Sequence, residues 1–101
     1  MIYNIDFDER ALKEWQKLGS DIREQFKKKL KKLQTSPHVE STRLQGDLSG
    51  CYKIKLRASG YRLVYQVIDS EIVILVISVG KREAGKAYTT ASSRVAKGIK
   101  P

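Results

Sequence analysis

The chain has 101 residues, of which 41% are hydrophobic, so it can bury one core and is expected to form one domain. Its 20 lysines and arginines against 11 aspartates and glutamates give a net charge of +9, which favours a polyanionic partner over a basic surface kept only for solubility. The single cysteine excludes an internal disulfide, and the longest apolar run, residues 72–79, is too short to cross a bilayer. The first ten residues carry early charges and no apolar run, so we expect no secretory signal and a cytoplasmic location.

The first third of the chain has the pattern of a strand followed by two helices. Residues 2–6 are short and partly alternate, which predicts a first strand. A helix should follow Asp8, a good N-cap residue, and close at Gly19. A second helix should start directly after Gly19 and end at Pro37. Its outer surface carries a run of lysines: Lys27, Lys28, Lys29, Lys31 and Lys32.

The middle of the chain predicts a loop and three strands. Residues 38–50 lack any clean period, which indicates a loop. Residues 51–57 and 61–68 alternate between polar and apolar side chains, as half-buried strands do. Residues 71–79 are nearly all apolar and rich in β-branched side chains, which is typical of an interior strand covered on both faces.

The C-terminal end is polar and basic. We therefore expect one domain over residues 1–90, followed by a basic tail at 91–101. Gly85, Thr89, Thr90 and Gly98 weaken helix formation in this part of the chain. Either a short helix over 88–96 or a mobile tail is consistent with this composition.

Four positive charges fall in the stretch YKIKLRASGYRLVY at 52–65. A two-residue loop at Ser59–Gly60 would pair Arg57 with Arg62 and place all four cations on one face, with the apolar residues facing the helices. A three-residue loop would turn Arg62 into the core, which is costly for an unpaired guanidinium. Facing like charges are unfavourable unless an anion lies among them, although a solvated basic face without a function is the alternative. The four cations are Lys53, Lys55, Arg57 and Arg62.

The inventory of reactive side chains excludes several kinds of site. One histidine, one cysteine and no carboxylate cluster at ligand spacing give no metal site, and no cofactor motif is present. His38 and Cys51 have no third partner that would complete a catalytic triad. We interpret His38 as a loop residue and Cys51 as a structural residue at the start of a strand.

Lysine, arginine and tyrosine remain, and these side chains can cleave RNA without a metal. The 2′-hydroxyl must lose a proton, the phosphorane must be stabilised and the 5′-oxygen must be neutralised. A lysine among other cations has a lowered pKa and can act as the base, whereas arginine holds phosphate oxygens and tyrosine stacks on a base. The residues alone do not decide between an RNA-binding module and a metal-free ribonuclease.

Three stretches of the chain resemble the RelE toxins of bacterial toxin–antitoxin systems, within the RelE/ParE superfamily. They are FDERALKEWQKLGSDIREQFKKKLKKL (7–33), CYKIKLRASGYRLVYQV (51–67) and ISVGKRE (77–83). The resemblance implies an α/β fold of the α+β type, with two N-terminal helices packed on a small antiparallel sheet of about four strands. It also implies an mRNA interferase that cuts the codon in the ribosomal A site, leaving a 2′,3′-cyclic phosphate and a 5′-hydroxyl.

The resemblance assigns roles to two sets of residues. The catalytic set is Lys53, Lys55, Arg62, Arg82 and Tyr88. Lys55 or Lys53 is expected to act as the base, and Arg62 and Lys53 are expected to stabilise the phosphorane. Arg82 is expected to lie near the leaving oxygen, and Tyr88 to stack on the mRNA or orient a hydroxyl. The residues expected to contact RNA or the ribosome are Lys27, Lys28, Lys31, Arg43, Arg57 and Lys81.

The resemblance also implies partners. An acidic RelB-like antitoxin is expected to neutralise the basic site, and the 70S ribosome and its mRNA are expected to be the substrate. Operator DNA would be bound only indirectly, through the toxin–antitoxin complex. Two alternatives are a catalytically silent RNA- or partner-binding module of the same fold, and a free nuclease that cuts naked RNA.

Overall fold

The computed structural model describes residues 1–81 and 86–96. The elements are β1 (Asn4–Phe7), α1 (Glu9–Gln16), α2 (Ser20–Leu33), β2 (Cys51–Leu56), β3 (Tyr61–Ile68), β4 (Val73–Lys81) and α3 (Lys86–Ala96). Two 3₁₀ turns, Glu40–Thr42 and Gly46–Leu48, interrupt the long connection between α2 and β2. In this part of the chain, no helix is long and apolar enough to cross a membrane.

The four strands form one sheet in the order β1-β4-β3-β2. β2, β3 and β4 are antiparallel neighbours, whereas β1 pairs with β4 in parallel, so the sheet is mixed and not wholly antiparallel as expected. The predicted α+β fold, with two N-terminal helices on a four-stranded sheet, is confirmed. β4 is an interior strand and is buried over most of its length, as its apolar sequence predicted.

The main core lies between the sheet and the pair α1 and α2. Apolar side chains of the two helices pack against the side chains that β2 and β3 direct to the same face. The largest members of this core are Trp15, Phe26, Leu30, Tyr52, Leu63 and Tyr65. A stacked pair, Tyr52 and Tyr65, has ring centroids 5.4 Å apart.

A second, smaller core lies on the opposite face of the sheet, beneath α3. Its members are Leu48, Cys51, Val64, Ile77 and Ala91. The sequence left open whether a helix or a mobile tail follows β4; the structure contains α3, which crosses the predicted domain end at residue 90. The sheet therefore has helices on both faces.

Asp8 caps the first helix, as predicted. Its Oδ1 accepts a hydrogen bond from the Arg10 backbone N–H at 2.9 Å, and the Arg10 guanidinium lies 3.0 Å from Oδ2. Hydrogen bonding from the Arg10 side chain holds the pKa of the nearly buried Asp8 carboxyl below its usual range. Because the pKa is lower in the folded state, this carboxylate stabilises the fold at neutral pH, and that stability is lost as the pH falls through the folded-state pKa.

Replacing the cap should therefore produce a pH-dependent loss of stability. Asp8→Ala is expected to lower the free energy of unfolding at pH 7 by about 1 to 2 kcal/mol, because one helix N-terminal donor loses its acceptor. Urea titrations at pH 7 and at pH 3 measure the effect, which should shrink at the lower pH. Asp8→Asn is the control, since it keeps the capping oxygen and removes only the charge. Equal losses for the two variants would show that the cap itself contributes nothing.

Candidate active site

The hairpin of β2 and β3 places three of the predicted catalytic cations on one face. Lys55 lies directly opposite Arg62, and Lys53 lies opposite Val64. Paired residues share a face of the sheet, so Lys53, Lys55 and Arg62 point to the same side, which we call the cation face. Lys53 and Arg62 are partly buried, whereas Lys55 is exposed.

The predicted pairs within this hairpin are wrong by two residues. The loop contains four residues, 57–60, and not two, so Arg57 lies in the loop and does not face Arg62. Gly60 has φ of 78° and donates its N–H to the carbonyl of Leu56 at 2.8 Å, which closes the loop. Because side chains alternate with a period of two, this shift changes every pair but leaves the side chains of β2 and β3 on their predicted faces.

The cation face is divided along its length. At one end Cys51 and Val64 are buried beneath α3, and at the other end Lys55 and Arg62 lie beyond that cover. On its other side Arg62 pairs with Gly80 of β4, where an added Cβ would meet no atom of the described residues within 4 Å. The row Lys55, Arg62 and Gly80 therefore runs across three strands and ends at a residue without a side chain.

Two predicted catalytic residues are not fully described. Arg82 lies outside the described residues. Tyr88 lies on α3, and its side chain is likewise outside the described part. The positions of these two groups relative to Lys53, Lys55 and Arg62 therefore stay predictions.

The residues predicted to contact RNA do not form one surface. Lys27, Lys28 and Lys31 are exposed on α2, and Lys27 pairs with Glu24 at 3.6 Å. Lys81 pairs with Tyr61 and so lies on the face opposite to the cation face, with its ammonium 5.9 Å from the Tyr61 ring centroid.

Arg43 lies apart from these lysines, outside the outer edge of β2. It forms an ion pair with Glu40 at 3.4 Å, and its guanidinium lies 5.8 Å from the Tyr52 ring centroid. The carboxylate of Glu40 therefore already offsets part of the positive charge of Arg43.

A groove with a volume of about 600 Å³ runs along the outer edge of β2, facing α2 and the Glu40–Thr42 turn. We call it the basic groove. It is lined by Lys29, Lys32, Leu33, Val39, Ser41, Thr42, Lys53, Ile54, Lys55, Arg57 and Tyr65. The structure thus brings Arg57 together with Lys53 and Lys55, and adds Lys29 and Lys32, which the sequence analysis did not select. Their positions three residues apart, with Leu33 beside them, would have shown that they share a helix face with an apolar residue.

The single histidine is held by hydrogen bonds, in agreement with its interpretation as a loop residue. His38 Nδ1 lies 2.8 Å from the hydroxyl of buried Tyr52, and Nε2 lies 2.8 Å from Asp69 Oδ1. Tyr3 also donates its hydroxyl to Asp69 Oδ1 at 2.6 Å, and hydrogen bonds from Tyr3 and His38 lower the pKa of Asp69. This network joins the N-terminal segment, the loop after α2 and the β3–β4 turn.

Cys51 is fully buried, and burial raises the pKa of its thiol to about 11. A thiol with that pKa is protonated near neutral pH and is a poor nucleophile, which agrees with a structural role. Among the described residues, no group of three His, Cys, Asp or Glu side chains could hold a metal ion.

An ion pair that no sequence pattern indicated attaches α3 to the rest of the protein. Arg94 is buried and donates to Glu14 Oε1 at 2.8 Å and to the carbonyl of Ile77 at 2.6 Å. The pairing of β3 with β4 shifts between Val64 and Tyr65, which leaves Ile77 as the extra residue of a bulge. Arg94 therefore binds a carbonyl next to this irregularity and fixes the helix that carries Tyr88.

This chain is similar to known toxins in sequence and in structure. The family described as ParE toxin of type II toxin-antitoxin system, parDE, matches residues 5–84. The mRNA interferase toxin RelE of Escherichia coli K12 is 61% identical over 95 residues, which cover 94% of this chain and 99% of that protein. A free E. coli RelE carrying two arginine-to-alanine substitutions has a TM-score of 0.85 at 62% identity, covering 93% of this chain and 98% of that one. The intact E. coli RelBE toxin–antitoxin complex has a TM-score of 0.76 at 65% identity, covering 80% of this chain and 98% of that chain.

Proposed function

Because this chain belongs to the ParE/RelE family of type II toxins, we propose that it cuts mRNA in the ribosomal A site and so inhibits translation. It is an mRNA interferase toxin of a toxin–antitoxin system, and therefore an endoribonuclease. The observation that carries the proposal is the position of Lys55 directly opposite Arg62, with Lys53 on the same face. Three cations gathered on one face are suited to a phosphate that gains negative charge during the reaction.

The reaction uses the 2′-hydroxyl of the RNA as its nucleophile. Lys55 or Lys53 takes the proton of that hydroxyl, and its oxygen attacks the adjacent phosphate. The bond from phosphorus to the 5′-oxygen then breaks, and the leaving oxygen takes a proton from water, which gives a 2′,3′-cyclic phosphate and a 5′-hydroxyl. Arg62 stabilises the phosphorane, because a guanidinium stays protonated and can donate two parallel hydrogen bonds to phosphate oxygens.

Two further residues complete the proposed site. Arg82 lies near the leaving 5′-oxygen and neutralises its developing charge. Tyr88 stacks on a base of the codon or orients a ribose hydroxyl. The site holds no strong acid–base pair, so the ribosome is needed to present the RNA in line for attack.

The proposed partners follow from the charge of the chain. An acidic RelB-like antitoxin covers the basic site, as an antitoxin accompanies the toxin in the E. coli RelBE complex. Ribosomal RNA or mRNA is contacted by Lys27, Lys28, Lys31 and Arg43, with further RNA contacts from Arg57 and Lys81. The protein acts in the cytoplasm. Operator DNA is bound only through the antitoxin complex.

A purified translation system tests the proposal. Adding the protein should truncate mRNA at A-site codons, with a cyclic phosphate at each new 3′ end, whereas the same mRNA without ribosomes should stay intact. Cutting of naked RNA would indicate a free nuclease. Binding to ribosomes without any truncation would indicate a catalytically silent module.

A further inference from the structure

We propose that the basic groove is a second RNA subsite, which binds the nucleotide next to the one cut at the cation face. Lys29 and Lys32 of α2 are its phosphate-binding residues. The inference rests on the proposed function for the identity of the substrate, and it assigns a substrate-binding role to two lysines and a loop outside the proposed catalytic set.

The position of the basic groove is the first argument. It follows the outer edge of β2, the terminal strand of the sheet, so it reaches both the helix side and the cation side. Lys53 and Lys55 line it and also form the cation face. An RNA strand whose scissile phosphate lies at Lys55 therefore continues into this groove without crossing another element.

The charge of the basic groove is the second argument. Five of its lining residues are cations, and none of the lining residues within the described part of the chain is acidic. Lys29, Lys32, Lys53 and Arg57 form no ion pair with any described carboxylate, whereas Lys27, Arg43 and Arg94 each have one. These four like charges repel one another, and a bound phosphate would relieve that repulsion.

The chemistry of the groove walls is the third argument. Leu33, Val39 and Ile54 supply apolar surface that suits the face of a base or ribose. The Thr42 hydroxyl donates to the Val39 carbonyl at 3.0 Å, and its oxygen has two lone pairs that can accept hydrogen bonds at the groove wall. Apolar surface, a hydroxyl acceptor and flanking cations together match one nucleotide of a single strand.

The experiment measures binding of a short single-stranded RNA by fluorescence anisotropy as a function of salt. The double variant Lys29→Ala/Lys32→Ala should bind about 10-fold more weakly at low salt. Its slope of log affinity against log salt should be shallower by about 1.4, since each lost phosphate contact on a single strand removes about 0.7. The matched control is Lys13→Ala/Lys17→Ala, which removes two exposed charges from α1 and its C-cap and should bind as the wild type does.

A second readout follows the apolar wall. The methyl resonances of Leu33, Val39 and Ile54 should shift when the RNA is added to the wild type, and should shift less in Lys29→Ala/Lys32→Ala. If the two lysines only attracted RNA non-specifically, their removal would weaken binding, but RNA would not shift these methyl signals in the wild type. Absent methyl shifts, equal losses for the two double variants, or no RNA binding by the wild type would each overturn the subsite.

The cleavage assay separates this inference from the proposed function. Lys29→Ala/Lys32→Ala should lower kcat/KM on ribosomes about 10-fold, and Lys13→Ala/Lys17→Ala should not change it. If the wild type cuts mRNA and the groove variant cuts and binds RNA equally well, the subsite is wrong and the proposed function stands. If the groove variant loses RNA binding and the wild type does not cut, the RNA-binding role of the groove stands, whereas the proposed function and the position of the groove next to a cut nucleotide are wrong. If the variant binds RNA normally and loses only its affinity for an acidic peptide, the basic groove is a protein-binding site and the inference is wrong.

Discussion

Arg62→Ala is expected to lower the rate of ribosome-dependent mRNA cleavage by about 100- to 1,000-fold, the usual effect of removing one donor to a developing oxyanion. Arg62 sits in the middle of a three-strand row, with Lys55 on one side and Gly80, which has no side chain, on the other. No other described cation occupies that interior position on the cation face. Single-turnover cleavage on programmed ribosomes measures the effect without a contribution from product release.

Three controls limit the interpretation of this variant. Arg62→Lys keeps the charge and loses the planar pair of donors, so it should recover only part of the rate. Arg23→Ala removes an arginine from α2, away from the cation face, and should cut at the wild-type rate. Ribosome affinity should change less than the cleavage rate for Arg62→Ala, because the loss is mainly in the transition state. A full cleavage rate in Arg62→Ala would refute the assignment of the site.

The hairpin illustrates how much of the site the sequence could predict. Alternation along each strand and the cost of burying an arginine together assigned Lys53, Lys55 and Arg62 to one face. The loop length could not be read with the same certainty, since loops of two and four residues leave every side chain on the same face. The face was therefore predicted correctly, while Arg57 was assigned the wrong position.

The parts that the sequence could not predict depend on contacts between distant segments. The parallel pairing of β1 with β4 brings residues 4–7 beside residues 73–76, and no local pattern indicates such a contact. The basic groove combines α2, β2 and the aperiodic segment 39–42, so only the folded chain shows that Lys29 and Lys32 join Lys53. Residue spacing shows which side chains share a face of α2, but it does not show which strand or loop lies beside that face.

α3 shows the same limitation on the other face of the sheet. Its sequence is polar and a weak helix former, which left open a short helix or a mobile tail. The helix is stabilised by tertiary contacts, namely Ala91 in the smaller core and Arg94 on Glu14 and Ile77. These contacts join residues separated by up to 80 positions in the chain, so propensity gave no sign of them.

Arg94→Met is expected to lower the free energy of unfolding by about 2 to 3 kcal/mol, because it leaves the Ile77 carbonyl without its donor and Glu14 without its partner. The lower part of the usual range for a broken buried pair applies, since the Glu14 side chain is 34% exposed and water can reach it. Urea unfolding measures the loss, and amide exchange over residues 86–96 should accelerate more than exchange in β4. Cleavage should also fall, because α3 carries Tyr88.

A double-mutant cycle with Glu14→Gln assigns this loss to the ion pair. The coupling energy between the two positions should lie at about 1 to 3 kcal/mol, as for residues that share a network. Lys13→Met is the matched control: it makes the same type of substitution at an exposed position and should change stability by less than about 0.5 kcal/mol. If Arg94→Met changed stability no more than Lys13→Met, α3 would be held by apolar packing alone. In that case the rate loss through Tyr88 should disappear as well, because both effects depend on the docking of α3 by Arg94.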